Sequence, residues 1–348
     1  MAFDFTKSLQ ALQTRKFGDD LKKGDLFENF SGKTADSVLY ISEAMEAVSK
    51  TYTENTFKQC DRVIDQIKSN ISSMHNGLSF EYQGSVPLNV HIKQHSDIDL
   101  LIVTGRYHTV KLPLTPQNPY LGNPEDDHRE LRKDVVETIK KEFPAVVVDN
   151  TGGKAVAIEG GSLNRKIDLV VSSWVHNTNS YSTRDLTYRG IKLYDQKDSV
   201  FIENYPFLHI RKCEEKDCAV AGKFKKLVRY VKNIIKDSEN LKISSYDAAG
   251  LIYQYDNTEL LGLSSDPVSL SAGCENFLLN LLANNNLIDQ AMVPNNTRKL
   301  FGPNQLNRDE VVKLYYVLKE INSTVKGQYT KMFSEDRNRF EQFFKKAS

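Results

Sequence analysis

Two periodicities divide the chain. Between residues 78 and 172, apolar and polar residues alternate in short runs, which is the period of a β-strand. Before and after this region, apolar residues recur every three or four positions, which is the period of an amphipathic helix. The alternating runs predict strands at residues 78–82, 97–104, 145–148, 155–159 and 166–172. With a helix predicted at 128–143, the pattern indicates an α+β fold: a mixed, twisted sheet with flanking helices.

Helical spacing also predicts the boundaries of two domains. One or two short helices are predicted within 1–35. A helical region follows at 36–69, and the polar run 51–55 is expected to interrupt it. Four prolines between 105 and 127 predict a loop. From about residue 206 the pattern is helical to the end. Three of the helices expected there are at 274–282, at 308–321 after a capping box formed by Asn307 and Glu310, and at 337–346. We therefore expect a sheet-containing lobe at 1–205, which includes the N-terminal helices, and a helical lobe at 206–348.

The candidate chemistry begins at a Gly-Ser turn. Gly84 and Ser85 follow the first predicted strand, and eleven residues later Asp97 and Asp99 flank Ile98. Strand alternation places the two carboxylates on one face, where they repel each other unless a cation lies between them. Gly84 allows a ligand to approach the backbone, and Ser85 offers a hydroxyl and a turn N–H to phosphate oxygens. Asp-Ile-Asp alone is more typical of a solvated strand end.

A third carboxylate changes that interpretation. Asp168 lies in the alternating run Arg165–Val171, on the last predicted strand. Three strand carboxylates near a Gly-Ser turn favour a two-metal site for in-line nucleotidyl transfer. Hard oxygen ligands of this kind suit two Mg²⁺ ions, with Mn²⁺ as the alternative metal.

Gly-Ser, the Asp-Ile-Asp pair and the later Asp168 resemble the motif of the polymerase-β-like nucleotidyltransferase superfamily. The resemblance covers residues 84–168. It implies that Asp97, Asp99 and Asp168 are catalytic metal ligands, and that the active site lies in the cleft between a nucleotidyltransferase lobe and a helical C-terminal lobe.

Four further segments resemble a narrower family, the bacterial CD-NTases related to cyclic GMP–AMP synthase, also called the SMODS family. The segments are 188–191, 206–210, 222–230 and 244–246. The resemblance implies that Ser85, Arg229 and Ser245 contact the donor phosphates and that Tyr246 stacks on a base. Lys226 or Lys232 is a candidate further cation that would help Arg229 to neutralise the pyrophosphate. Arg229 stands where the animal enzyme has lysine, so its contact geometry can differ. The implied product is a cyclic di- or trinucleotide second messenger, made from NTPs in anti-phage defence.

The residues of the helical lobe also have simpler interpretations. A basic row on the helix that contains Arg229 is compatible with a solvated helix face, and it consists of Lys225, Arg229, Lys232 and Lys236. Ser244 or Ser245 is a natural N-cap. His209, Cys213 and Cys218 lie where the animal enzyme carries a zinc insertion, but without a fourth ligand they do not predict a structural zinc site.

Composition narrows the partners. The chain has 348 residues, with 46 Lys and Arg against 45 Asp and Glu, so activation by double-stranded DNA is not expected. Four cysteines and the lack of a membrane-length apolar run predict a cytoplasmic protein. ATP, GTP or both are the expected substrates, with pyrimidine nucleotides, a protein regulator, the linkage and the ring size left open. The alternatives are a nucleotidyltransferase that modifies a tRNA end or a protein, and a silent nucleic-acid sensor.

Overall fold

The computed structural model describes residues 3–17, 36–92, 96–183 and 185–347; for 16–17, 181–183 and 329–347 it describes the backbone alone. Contacts divide the chain into two compact units. The sheet unit comprises Val48–Glu215 and Val293–Arg298. The helical unit comprises Met1–Ala47, Lys216–Met292 and Lys299–Ser348.

The sheet unit is built on a mixed sheet. Its strands are β1 (Ser79–Gln83), β2 (Ile98–Val110), β3 (Val147–Asp149), β4 (Val156–Gly160), β5 (Leu163–His176), β6 (Gly190–Asp195) and β7 (Val200–Asn204). The order is β1-β2-β5-β4-β3, while β6 pairs with the second half of β5, and β7 pairs with β6. The β2–β5 pair is parallel and the other pairs are antiparallel. The mixed sheet predicted from the alternating runs is confirmed.

Helices flank the sheet and form the helical unit. In chain order they are α1 (Phe5–Phe17), α2 (Asp36–Met45), α3 (Lys50–Ile71), α4 (Pro124–Glu142), α5 (Thr178–Thr183), α6 (Pro206–Ala219), α7 (Lys223–Asp237), α8 (Ser245–Tyr253), α9 (Asn257–Gly262), α10 (Pro267–Ala283), α11 (Asn285–Gln290) and α12 (Arg308–Ala347). The helical C-terminal region confirms the predicted fold class. It also contains two isolated β-bridges, one of them between Met292 and Lys299.

Strand alternation gives the two faces of the sheet different environments. Ile98, Leu100 and Ile167 belong to a large buried cluster with residues of α3 and α4. Burying each such side chain contributes ~1.5–3 kcal/mol. Leu101 and Val170 point to the opposite face, in a smaller cluster with β6. Asp99 and Asp168 therefore share the face opposite α3 and α4.

The interruption in the first helical region lies earlier than predicted. α2 ends at Met45 and α3 begins at Lys50, so the polar run 51–55 is inside α3 and the prediction of a break there was wrong. Ser49 is the N-cap of α3, with its hydroxyl accepting the Tyr52 N–H at 3.4 Å. The Thr53 hydroxyl donates to the Ser49 carbonyl at 3.2 Å. Hydroxyls that bond back to the preceding turn are compatible with a helix.

The sheet also extends further than the alternating runs predicted. β6 and β7 were not predicted, and β2 continues through residues 105–110, which were assigned to a loop. β2 crosses a register shift between Val103 and His108, which disturbs the simple alternation there. His108–Val110 pair with Trp174–His176 of β5, the second half of β5 also pairs with β6, and β7 is added through β6.

The N-terminal helices make their described contacts within the helical unit. Arg15 of α1 forms an ion pair with Asp237 of α7 at 2.6 Å, and Tyr40 of α2 donates to the same carboxylate at 2.9 Å. The Asn233 side chain donates to the Ala44 carbonyl at 3.0 Å. The division at residue 205 grouped these helices with the sheet because it followed chain order, and contacts 184 to 222 residues apart leave no local signal.

α12 is a single helix where two were predicted, so the separate helix at 337–346 was wrong. The Asn307 side chain caps it by accepting the Asp309 N–H at 2.8 Å. The Glu310 carboxylate accepts the Lys242 N–H at 2.6 Å, which is not the reciprocal bond of a capping box. Among the described residues, no helix has both the length and the apolar character needed to cross a bilayer.

Candidate active site

The parallel pairing of β2 and β5 brings two predicted site residues side by side. Asp99 is directly opposite Asp168 in the register of the two strands. Asp97 lies one residue before β2. Because Ile98 is opposite Ile167, continuing the register by one residue places Asp97 beside Lys166. Neighbouring strands lie about 4.8 Å apart, so these side chains form one group on one face of the sheet.

Lys166 joins the carboxylates of this group. Its ammonium donates to Asp97 Oδ2 at 2.7 Å and lies 3.2 Å from Asp168 Oδ1. The Asp97 side chain is 41% exposed, that of Lys166 36% and that of Asp168 22%. The sheet thus holds two carboxylates and their counter-ion at a partly desolvated position, where charge interactions are stronger than in open water.

The electrostatics of the group follow from this arrangement. Burial raises the pKa of Asp168, and the negative charge of Asp97 raises it further, while Lys166 opposes both effects. Burial lowers the pKa of Lys166, but its hydrogen bond to Asp97 and the charges of Asp168 and Asp97 outweigh burial, so the net pKa of Lys166 is raised. The ammonium is therefore held in its charged form by the carboxylates that it contacts.

The Gly-Ser turn adjoins Asp99. Gly84 follows β1 with a φ of +83°, a left-handed conformation that side chains disfavour. A Cβ atom on Gly84 would lie 2.3 Å from Asp99 Oδ2, so the carboxylate packs directly on the glycine backbone. The Ser85 carbonyl accepts the Val90 N–H at 3.0 Å, which closes the turn, and Ser85 is half-buried. Glycine is required here by both conformation and space.

The donor atoms of this group fit a divalent cation. In the residues that the structure describes, no three His, Cys, Asp or Glu side chains are already gathered as metal ligands. Asp97 and Asp168 turn to the Lys166 ammonium instead. The ammonium shows that a cation is stabilised between them, and carboxylate oxygens are the ligands that Mg²⁺ and Mn²⁺ prefer. These donor atoms therefore suit the predicted magnesium site, and the site and its ligands stay a prediction.

A cavity of about 450 Å³ opens beside Asp168. Besides Asp168 and Lys166, its lining includes Ala155 and Ala157 near and on β4, the loop 149–154 and the turn 195–198. Arg132 of α4 holds the loop from beneath, donating to the carbonyls of Gly152, Gly153 and Ala155 and to the Asn150 side chain over 2.6–3.0 Å. The Gln196 N–H donates to the Gly153 carbonyl at 3.1 Å, so loop and turn form one fixed wall.

In the helical unit, α7 does not present a solvated basic face. Arg229 and Lys232 are buried, and burial lowers the pKa of Arg229. The Arg229 Nε donates to the Met45 carbonyl at 2.7 Å, and Lys225 lies 4.0 Å from Asp217. Lys226 is half-buried. The interpretation of this row as a solvated face was therefore wrong for its central residues.

The two serines before α8 divide their roles. Ser244 is the N-cap, accepting the Asp247 N–H at 3.0 Å, so of the two alternatives the cap falls to Ser244. Ser245 stands at the first helical position with its side chain exposed, and Tyr246 follows it half-buried. The capping bond thus does not use the hydroxyl assigned to a phosphate.

The histidine and cysteines considered for zinc lie in α6. The Cys213 sulfur is 3.7 Å from His209 Nε2, and both side chains are buried. Burial lowers the pKa of His209 to about 4. Cys218 is exposed, and all four cysteines of the chain carry free thiols. The described contact is thus a hydrogen bond between residues one turn apart on a helix.

Lys166 and Arg132 were missed by the sequence interpretation. Lys166 had an available signal, since it is two residues before Asp168 and alternation puts both on one face. Arg132 had none, because its acceptors are backbone carbonyls in a loop about twenty residues away.

The family model that describes the cGAS/DncV-like nucleotidyltransferase C-terminal helical domain matches residues 211–322. The cyclic dinucleotide synthase CdnE of Yersinia aleksiciae is 31% identical over 330 residues, which cover 92% of this chain and 85% of that protein. A c-di-GMP synthase of Capnocytophaga granulosa is 26% identical, with 88% and 90% covered.

Solved structures agree on the fold. The STING-associated CdnE c-di-GMP synthase from Capnocytophaga granulosa superposes with a TM-score of 0.75 at 24% identity, covering 93% of this chain and 99% of that one. The cGAS/DncV-like nucleotidyltransferases generally use divalent metals. Because one relative exceeds 30% identity over most of both chains, the chain belongs to the bacterial CD-NTase family of cGAS/DncV-like nucleotidyltransferases.

Proposed function

We propose that this nucleotidyltransferase makes a cyclic dinucleotide second messenger from NTPs by two-metal transfer. The observation that carries the proposal is the register of β2 and β5, which sets Asp99 beside Asp168 and next to the Gly84 turn. The relatives that match over most of their length are named cyclic dinucleotide and c-di-GMP synthases, which supports this chemistry.

Three carboxylates would hold the metals. Asp97 and Asp99 would hold the ion that binds the donor triphosphate, and Asp168 would help them to hold the second ion. Two bound Mg²⁺ ions would stabilise charge on the transferring phosphoryl group and lower the pKa of the attacking ribose hydroxyl. Asp168, whose pKa is raised by burial, is the candidate to accept the hydroxyl proton.

The order of the strands suggests a direction for the reaction. The Gly84–Ser85 turn ends β1, the carboxylates lie at β2 and β5, and the cavity lies over β4. In-line displacement needs the leaving group and the attacking hydroxyl on opposite sides of the phosphorus atom. If Ser85 and its turn N–H bind the β- and γ-phosphates, the acceptor nucleotide enters from the cavity, where the wall pinned by Arg132 positions it.

Residues of the helical unit are assigned by family resemblance. Ser245 is proposed to bind a donor phosphate and Tyr246 to stack on a base, and their exposed and half-buried side chains support this. Lys226 is a proposed cation for the pyrophosphate. Arg229 is proposed to contact a donor phosphate. Because its Nε donates to the Met45 carbonyl, this contact would come from the two outer nitrogens of the guanidinium.

GTP is the first substrate to test, because three of the similar proteins are named c-di-GMP synthases, with ATP next. One of the similar solved structures, the CdnE of Rhodothermus marinus, is named a c-UMP-AMP synthase, so pyrimidine nucleotides belong in the assay. A role in anti-phage signalling, a protein regulator and a cytoplasmic location are parts of the proposal. Activation by double-stranded DNA is not part of it.

The test is a product assay. The purified chain is incubated with Mg²⁺ and four labelled NTPs, treated with phosphatase, and its products are separated and weighed by mass spectrometry. A phosphatase-resistant small product that is absent with Asp97→Asn/Asp99→Asn supports the proposal and identifies the bases. Label on added tRNA or protein, with no small product, would replace it with the macromolecule-modifying alternative. No turnover in either form, also after addition of phage lysate, would favour the silent sensor.

A further inference from the structure

Lys166 contacts two of the three carboxylates that the proposed reaction assigns to metal ions. We propose that Lys166 is a displaceable counter-ion of the active site. It holds Asp97 and Asp168 in the nucleotide-free enzyme and yields them when metal arrives together with a nucleotide. The inference rests on the proposed function in one respect, that Asp97 and Asp168 are metal ligands.

The first step of the argument is competition for the same atoms. The ammonium lies 2.7 Å from Asp97 Oδ2 and 3.2 Å from Asp168 Oδ1. A divalent ion needs carboxylate oxygens of the same residues, so it must break both ion pairs before it binds. An ammonium has three donor hydrogens and can satisfy two carboxylates at once. Lys166 therefore lowers the affinity of the site for metal alone.

The second step is the stability of the metal-free site. Asp97, Asp99 and Asp168 lie on one face of two neighbouring strands, where like charges repel. Asp99 packs on Gly84, whereas Asp97 and Asp168 turn to Lys166. The lysine separates the oxygens into two groups and reduces the repulsion. This explains why no ready-made set of three ligands exists among the described residues.

The third step is that the lysine can move without disturbing the fold. Its backbone is fixed between β2 and β4, but its side chain is 36% exposed and has four rotatable bonds. Lys166 also lines the cavity beside Asp168, which gives the displaced ammonium a place within the site. Rotation of one side chain would release both carboxylates.

The consequence concerns the order of binding. When metal binds alone, the free energy needed to break the Lys166 ion pairs reduces its affinity. A metal–nucleotide complex adds phosphate oxygens as further ligands, and its negative charge attracts the freed ammonium. The enzyme should therefore bind divalent metal weakly without nucleotide and tightly with it.

The test measures metal binding without turnover. Mn²⁺ is titrated calorimetrically into metal-free, full-length wild type, Lys166→Met and Lys154→Met, with no nucleotide present. Lys154 lines the same cavity, and its substitution removes the same charge, but no ion pair joins it to the carboxylates among the described contacts. We expect Lys166→Met to bind Mn²⁺ about 10-fold more tightly than wild type, which is ~1.4 kcal/mol. Lys154→Met should stay within about twofold.

A second readout covers the metal-free state. After chelation, Lys166→Met should melt at a lower temperature than wild type, and Mn²⁺ should raise its melting temperature more than that of wild type. Lys166→Arg, which keeps the charge, should stay close to wild type in both experiments; if Lys166→Met does not fold, Lys166→Gln takes its place.

Equal or weaker Mn²⁺ binding by Lys166→Met, equal gains in Lys154→Met, or no measurable binding by either protein would overturn the inference. Because no nucleotide is present, these results are independent of the product assay. An active enzyme with no Lys166 effect would reject the counter-ion alone, and tighter metal binding in a chain without product would reject the cyclase function alone.

Discussion

The sheet unit and the helical unit hold their candidate site residues by different means. In the sheet unit, Asp99 and Asp168 are adjacent because hydrogen bonds between two backbones set the register. In the helical unit, Arg229 and Lys232 lie on a helix whose charged side chains also serve the local structure. Because side chains alternate along a strand, the position of a strand residue determines its face. A charged side chain on a helix can instead bind a ligand, lie in solvent or pair with a buried group. The direction of a site side chain on a strand therefore follows from the sequence, whereas the role of a charged side chain on a helix depends on its contacts in the folded protein.

The largest effect should come from the carboxylates. Asp97→Asn with Asp99→Asn should lower kcat on the order of 10³-fold or more, because it removes charge that metal binding and transition-state stabilisation require. The fold should persist, since the backbone register is unchanged and the loss of like charges relieves repulsion. Product formation and circular dichroism check the two halves. Near-normal turnover would show that register had brought together residues with no catalytic use.

The glycine turn offers a matched pair of substitutions. Gly84→Ala would place a Cβ 2.3 Å from Asp99 Oδ2 and displace the carboxylate by about 1 Å. We expect a loss of about 10²-fold in kcat, along with ~1–2 kcal/mol of stability from the left-handed backbone. Gly77→Ala is the control, because its φ is +79° and its Cβ would meet nothing within 4 Å. Similar kinetic losses in both variants would mean that strain, and not contact with Asp99, is responsible.

Arg229 tests the helical side of the comparison. Arg229→Met should reduce the free energy of unfolding by ~1.5–3 kcal/mol, since the Met45 carbonyl loses its donor. Lys226→Met, on the same helix but half-buried, should change it by less than about 0.5 kcal/mol. Urea titration of both variants measures the difference. An unchanged stability of Arg229→Met combined with a higher KM for NTP would assign Arg229 to phosphate and not to the helix interface with α2.

Tyr246 should produce the smallest effect, and a selective one. Tyr246→Ala should weaken nucleotide binding by ~1–3 kcal/mol, which is the size of a lost stacking interaction, while Tyr246→Phe should bind normally because the ring remains. Binding of a non-hydrolysable NTP analogue measures both. An unchanged affinity in Tyr246→Ala would remove the stacking role and with it one of the assignments made by resemblance.

Local patterns predicted the strands that carry the carboxylates, because the alternation of each strand is visible within its own residues. They missed β6, which pairs with the distal half of β5, and β7, which pairs with β6. They also missed Arg132, which acts on backbone carbonyls, and the docking of α1 and α2 on α7, which joins residues about two hundred positions apart. Lys166 could have been inferred from alternation, because it lies two residues before Asp168 and on the same face of the strand.

The parallel pairing of β2 and β5 has a consequence for how the enzyme is made. Parallel strands cannot be joined by a tight turn, and here Asp97 and Lys166 are 69 residues apart along the chain. Closing so long a loop is entropically costly and slow, so the site forms only when α4, β3, β4 and β5 have all been synthesised and docked. During synthesis on the ribosome, a partial chain that ends before residue 168 lacks one of the three proposed metal ligands. Long-range topology thus delays the assembly of the proposed metal site until β5 has paired with β2.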